Sequence, residues 1–399
     1  MFKKIASLLL CLLVFIGGIS FAVSGDKSAT AENSQTSAPS TIVLDENYAQ
    51  NEYLDVVGRT HYDSTVNGAV FLNSGSGVIV RFTGTQLSVN WYSGIAKIAA
   101  RGTSYFSVFV DGETDSNAIV VHVANTDTYQ DKVVVSGLAQ GEHTVQLLKR
   151  TASNAGECFI SSLTTDGSFL PAVEDTRLKI EVYGDSITVG SGILRDVHWD
   201  SANNNYYDDG SYHNSVQNVF QSYIGYAAKN LNARLNVYGR GGIAMKYGGT
   251  GANNIVDNYA AIHVDANADE LPYDYSTYTP DVVVIGLGTN DYNLGRQRGV
   301  YSIDGLKAGF IRFIRDVIGK NYGKDIPILL FTGQMAKAAR LPEHMLDIVN
   351  ILKNEFPNIM SVGATACYVG HPIAEEGEVE GRKVSDAISA KLQELQSKK

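Results

Sequence analysis

The chain has 399 residues, 44% of them hydrophobic, which is enough for two cores at ~150 residues per domain. Its formal net charge is −10, and no basic cluster lies beyond the first few residues, so a nucleic-acid partner is excluded and polyanionic substrates are disfavoured. Three cysteines make neither a disulfide framework nor a zinc site.

Met1-Phe2-Lys3-Lys4, the apolar run Ile5 to Ile19 and then Ser20-Phe21-Ala22 have the layout of a secretory signal peptide over residues 1–22, which predicts a secreted, extracellular protein. A membrane anchor is the competing reading, because ~20 apolar residues span a bilayer, but the small-residue exit favours cleavage. No other stretch is long and apolar enough to span, so no membrane partner is expected after cleavage. Loss of Lys3 and Lys4 would take the charge to −12 and leave Cys158 and Cys367, which an oxidising compartment allows to pair. Residues 23–40 have almost nothing to bury and read as a flexible linker.

From Thr41 to Leu170 the hydrophobic pattern has period two. Val78, Val80 and Phe82 share one face, Leu87, Val89 and Trp91 another, and Phe106 to Val110, Ile119 to Val123, Val133 to Val135 and Val145 to Leu147 continue the series. Short strands at roughly ten-residue spacing with turns between them predict a β-sandwich of the jelly-roll kind over 41–170.

Over residues 176–399 strand runs alternate with helical faces, which predicts βαβ units, a parallel sheet and a three-layer α/β/α domain. The strand runs are Ile180 to Tyr183, Leu235 to Tyr238, Val282 to Leu287 and Ile328 to Phe331. The helical faces run from Val216 to Leu231, Leu306 to Val317 and Val384 to Leu395. Asp196 to Asn214 has neither period. Its Trp199, Tyr206, Tyr207 and Tyr212 suit sugar faces, so it reads as a substrate-binding loop or an ordinary polar surface loop.

Gly184-Asp185-Ser186-Ile187-Thr188 closes the first of those strands and puts a serine at its sharp exit, where the Oγ is lifted over the sheet edge and the serine N–H is left to bind an oxyanion. Gly248-Gly249-Thr250-Gly251 lacks the lysine of a phosphate loop, and Gly286-Leu287-Gly288 lacks the third glycine of a dinucleotide fold. Asp185 and Asp291 read as structural acceptors that shape their loops.

The serine turn, Gly239, Gly288-Thr289-Asn290-Asp291 and His371-Pro372, in that order, resemble the four blocks of the SGNH (GDSL-type) hydrolases. The resemblance implies Ser186 as nucleophile and His371 as base, the one histidine of eight that lies after the strand series and before the last helix. It implies an oxyanion hole of the Ser186 N–H, the Gly239 N–H and the Asn290 amide, with Gly241 as the fallback for Gly239. Most relatives carry an aspartate three residues before the histidine, and Tyr368 stands there in this chain. A backbone carbonyl or a more distant carboxylate would then orient His371; Glu375 and Glu376 are candidates, unless they are helix-start charges.

Gly58-Arg59-Thr60, Asp111-Gly112, Gly141-Glu142-His143 and Lys149-Arg150-Thr151, preceding such a domain, resemble carbohydrate esterase family 2. That resemblance implies a cofactor-free, metal-free Ser/His acetylesterase acting on acetylated xylan or related polysaccharides. Two alternatives stand beside it: an esterase of lipids or peptidoglycan sugars, and a carbohydrate-binding protein with a decayed centre.

Overall fold

A computed structural model describes residues 38–94, 102–113, 115, 117–197, 212–248, 254–264, 268–332, 334–335, 340–365, 367 and 370–398, and the backbone of 198–200 and 205–208. The expected signal peptide and nearly all of the linker lie outside these residues.

The first half is antiparallel. β1 (Thr41–Val43), β3 (Thr60–Asp63), β4 (Gly68–Phe71), β6 (Leu87–Ser93), β9 (Gln130–Val135) and β11 (Cys158–Thr165) form one sheet; β2 (Asp55–Val57), β5 (Gly77–Gly84), β7 (Tyr105–Val110), β8 (Ile119–His122), β10 (Gly141–Lys149) and β12 (Ser168–Leu170) form the other. The period-two pattern explains the sandwich: Val78, Val80 and Phe82 of β5 and Leu87, Val89 and Trp91 of β6 are buried in one core, while Ile79 and Arg81 face away from it. Cys158 is buried in this core and Cys367 donates its thiol to Gly370 O, and both are free.

The second half is built on a parallel sheet of β13 (Leu178–Gly184), β16 (Ala233–Gly239), β17 (Val282–Gly286), β18 (Ile328–Thr332) and β19 (Ile359–Gly363), in the order β16-β13-β17-β18-β19. Its strands are apolar on both sides because both faces are covered. α1 (Tyr223–Leu231) and α7 (Ala374–Ser397) share one core with Ile180, Val182, Val284 and Leu329. α2 (Ile255–Asn258), α4 (Ile303–Phe313) and α6 (Leu341–Leu352) share the other with Tyr183, Val283 and Ile285. α3 (Thr289–Gln297) opens at the end of β17, and α5 (Lys320–Tyr322) follows a π-helical turn that extends α4. The strand order reverses beside β13, and the carboxyl end of a strand at such a switch point is where open α/β sheets bind ligands.

Two elements differ from the sequence expectation. The helix predicted from Val216 starts only at Tyr223, because the Asn218 side chain caps a separate 3-10 turn and the Ser222 hydroxyl accepts from Gly225 N to cap α1. The aperiodic segment after Asp196 contains a two-stranded ribbon, β14 (Val197–Asp200) and β15 (Asn205–Asp208), with Trp199 opposite Tyr206.

The two halves interlock. Arg59, from the turn before β3, is 2% exposed and donates to Glu181 Oε1 on β13 at 2.5 Å, to the Tyr183 hydroxyl at 3.1 Å and to Ala261 O at 3.2 Å. Its guanidinium lies 3.8 Å from the Tyr273 ring centroid and 4.4 Å from that of Tyr238. A buried carboxylate is tolerated at this point of β13 because a paired, hydrogen-bonded cation reaches it from the sandwich.

Candidate active site

Ser186 sits where β13 turns out of the sheet. Gly184 is required there: a Cβ on it would lie 2.0 Å from Thr188 Oγ1, which folds back to meet the Tyr223 hydroxyl at 2.9 Å. Asp185 Oδ1 accepts from Ile187 N at 2.9 Å, and Ser191 N donates to Ser186 O at 2.9 Å, so the turn is held from both sides of the serine. Ser186 is 9% exposed, and its Oγ lies 2.7 Å from His371 Nε2. Nucleophile and base expected from sequence are therefore in direct hydrogen-bond contact.

Asn290 stands in the first turn of α3, behind Gly288, whose φ of 115° favours a residue without a Cβ. The Asn290 amide donates one N–H to Ile243 O at 2.8 Å, which fixes its plane. Asp291 is fully structural. Its carboxylate accepts from Met245, Lys246 and Tyr247 N at 2.7, 2.7 and 2.9 Å and so folds the loop after β16 onto α3. Burial pushes both Asp291 and Asp185 upward, Asp185 to about 7, with the charge of Asp291 adding to the effect on Asp185.

The two candidate glycines are placed differently. Gly239 is the last residue of β16 and pairs with Gly184; a Cβ on it would lie 2.2 Å from Gly184 O, so its glycine is required by sheet packing. Gly241, the fallback, comes up to the serine: a Cβ there would lie 3.8 Å from Ser186 Cβ and 4.0 Å from Ser191 Oγ.

Of the aromatic residues expected to bind substrate, Tyr212 is half-buried with its ring edge-on to His371, centroids 5.2 Å apart, and against Gly192, whose Cβ would lie 2.8 Å from it. It therefore packs against the base. The side chains of Trp199, Tyr206 and Tyr207 lie outside the described residues, as does Tyr368. Glu376 Oε2 accepts from Ile373 N at 3.0 Å, a helix-start contact at α7, and Glu375 is exposed.

Arg195 is the functional residue that the sequence reading missed. It is 5% exposed and its guanidinium donates to Gly192 O at 2.9 Å, to Pro372 O at 3.2 Å and to His371 O. One rigid fork thus ties the histidine loop to the serine turn. A lone arginine in a polar insertion gives no local sign of this. Among the described residues there is no group of three His, Cys, Asp or Glu side chains able to hold a metal ion.

A parallel α/β/α sheet with a serine at the switch point and a histidine on its Oγ is the arrangement of an SGNH-type acyl hydrolase. Residues 56–172 match the model of the carbohydrate esterase 2 N-terminal domain, and 180–370 match that of the GDSL-like lipase/acylhydrolases. The two halves thus resemble, in chain order, the N-terminal domain of carbohydrate esterase family 2 and a GDSL-type hydrolase domain. It is 36% identical over 238 residues to the cellulase/esterase CelE of Acetivibrio thermocellus, covering 58% of this chain and only about a quarter (26%) of that protein. It is 28% identical over 253 residues to an acetylxylan esterase / glucomannan deacetylase of Cellvibrio japonicus, covering 62% of this chain and 63% of that one. Among solved structures, a family two carbohydrate esterase from Clostridium thermocellum in complex with cellohexaose superposes with a TM-score of 0.69 at 26% identity, over 85% of this chain and 99% of that one.

Proposed function

We propose that this chain is an exported carbohydrate O-deacetylase that releases acetate from acetylated xylan or a related plant polysaccharide. The observation that carries the reading is the 2.7 Å contact between Ser186 Oγ and His371 Nε2 at the mouth of the sheet. Ser186 Oγ attacks the acetyl carbonyl while His371 Nε2 takes its proton. The negative charge on the carbonyl oxygen falls among the Ser186 N–H, the Gly241 N–H and the Asn290 amide, donors fixed before the reaction begins. Collapse of the tetrahedral adduct expels the sugar oxygen, which His371 protonates, and leaves an acetyl-serine. Water, deprotonated by the same imidazole, then frees acetate. The names of the relatives support the polysaccharide substrate, and the leader-like first 22 residues support export.

Acetate release from acetylated xylan and glucomannan, followed beside Ser186→Ala and with a chelator present, tests the reading. Release that persists with chelator and vanishes in Ser186→Ala is expected. Hydrolysis confined to lipid esters, or binding of polysaccharide without any release, would overturn it.

A further inference from the structure

The β-sandwich contributes to the active site directly. After β10 the chain makes a tight turn, Ser153–Ala155, and this turn is braced from three sides. The buried Lys149 ammonium donates to Thr151 O at 2.9 Å and Ala152 O at 3.0 Å. Ala152 N donates to Gln217 Oε1 at 3.1 Å, and the same Gln217 amide donates to Ser191 Oγ at 3.3 Å, five residues past the nucleophile. Arg150 O accepts from Val219 N at 3.2 Å. The turn is therefore locked to the serine loop by side chains that are themselves buried.

At its centre is Asn154. Its Nδ2 lies 3.7 Å from the point where a Cβ on Gly241 would stand, and Ser186 Cβ lies 3.8 Å from that same point. Asn154, Gly241, Ser186 and Ser191 thus enclose one small space over the nucleophile, and glycine at 241 keeps it open. The Asn154 Oδ1 is buried and has no hydrogen-bond partner among the described residues. An unsatisfied buried amide oxygen costs stability, and a serine or alanine would fit a 3-10 turn without that cost. The edge of the amide that faces this space is its Nδ2, an N–H donor, and a sugar offers it acceptors in its hydroxyls and ring oxygen.

We propose that Asn154, supplied by the sandwich, hydrogen-bonds an oxygen of the acetylated sugar and orients the ester on Ser186. This rests on the deacetylase reading above. It gives the Lys149-Arg150-Thr151 segment a purpose: the buried lysine shapes the turn that presents the amide.

The test compares two esters on the full chain, 4-nitrophenyl acetate, which has no sugar, and an acetylated xylo-oligosaccharide, for wild type, Asn154→Ala and Asn154→Gln. For Asn154→Ala the saccharide kcat/KM is expected to fall about tenfold, the loss of one good hydrogen bond to substrate, while nitrophenyl acetate stays within about twofold. Asn154→Gln, which keeps the amide but misplaces it, should fall between. Equal losses on both esters would show that the turn is merely structural, and an unchanged saccharide rate would show that Asn154 does not touch the sugar; either overturns the inference while leaving the deacetylase reading intact. A wild type that cleaves nitrophenyl acetate but no acetylated saccharide overturns the deacetylase reading, and this inference with it.

Discussion

Replacing Arg195 with methionine keeps much of the side-chain volume and removes the fork that joins the histidine loop to the serine turn. Three carbonyls lose a charged donor: Gly192 O at 2.9 Å, Pro372 O at 3.2 Å and His371 O. Hydrogen bonds to charged groups contribute ~1.5–3 kcal/mol each, and relief of the guanidinium's burial offsets part of the total, so a net loss of about 3 kcal/mol in stability is expected. The larger effect is on rate. His371 is held by its own backbone oxygen, and a displacement of its ring by about 1 Å costs about 10²-fold, or about 2.7 kcal/mol of barrier. Steady-state hydrolysis of 4-nitrophenyl acetate should therefore show kcat about 10²-fold lower with KM within about twofold, since the guanidinium is engaged by loop carbonyls. Arg195→Lys should recover only part of the rate, as one ammonium cannot span carbonyls on both loops. A methionine variant with lowered Tm but kcat within threefold of wild type would refute the argument and show that the base is held by other contacts.

The roles of Gly239 and Gly241 separate by two alanine variants. Gly239→Ala drives a Cβ to 2.2 Å from Gly184 O and should lower Tm sharply, whereas Gly241→Ala meets only contacts of 3.7 Å or more and should fold normally while losing activity; a normally folded Gly239→Ala would refute the packing account. Asn290→Ala, which removes an oxyanion donor, should lower kcat about 10²–10³-fold with KM little changed, as measured on the same ester. Asp185 is raised to about 7 by burial from an unfolded value of ~3.9, so the folded state binds more protons between those values and stability falls as pH rises through the window. Asp185→Asn keeps the acceptor for Ile187 N, and urea melts should show its stability relative to wild type rising from pH 4 to pH 7, by no more than about 4 kcal/mol; a pH-independent difference would contradict the burial. Arg59→Ala strands Glu181 without its cation and should cost about 3–5 kcal/mol in the same melts, while Arg59→Ala with Glu181→Gln should recover part of it.

What the sequence discloses about this site depends on how local the cause is. Ser186, Asn290 and His371 are legible because strand-exit chemistry and helix-start positions are written within a few residues of each. Period-two alternation likewise announces β5 and β6, since half-buried strands must alternate. β19 escapes, because its burial is incomplete along Ile359–Gly363 and only its pairing with β18 makes it a strand. The helix start at Tyr223 escapes because a side-chain cap at Ser222 outweighs an apolar periodicity that continues back to Val216. Gly239 and Gly241 are not told apart in the sequence, because which of two glycines ends the strand and which borders the serine depends on where the neighbouring strand ends.

Arg195 escapes for a different reason, one that bears on how the enzyme is built. Its partner carbonyl on Pro372 is 177 residues away, as remote as Arg59 is from its contacts beside β16. Such residues have no local pattern because their partners are assembled by the fold, and each bridges two segments that the catalytic geometry needs in register. Arg195 fixes the histidine loop on the serine turn, and Arg59 fixes the sandwich on β13, the strand that leads into the Ser186 turn. The 2.7 Å contact between serine and base is thus the end point of two long-range clamps, and a substitution at either acts on the chemistry without touching a reacting atom.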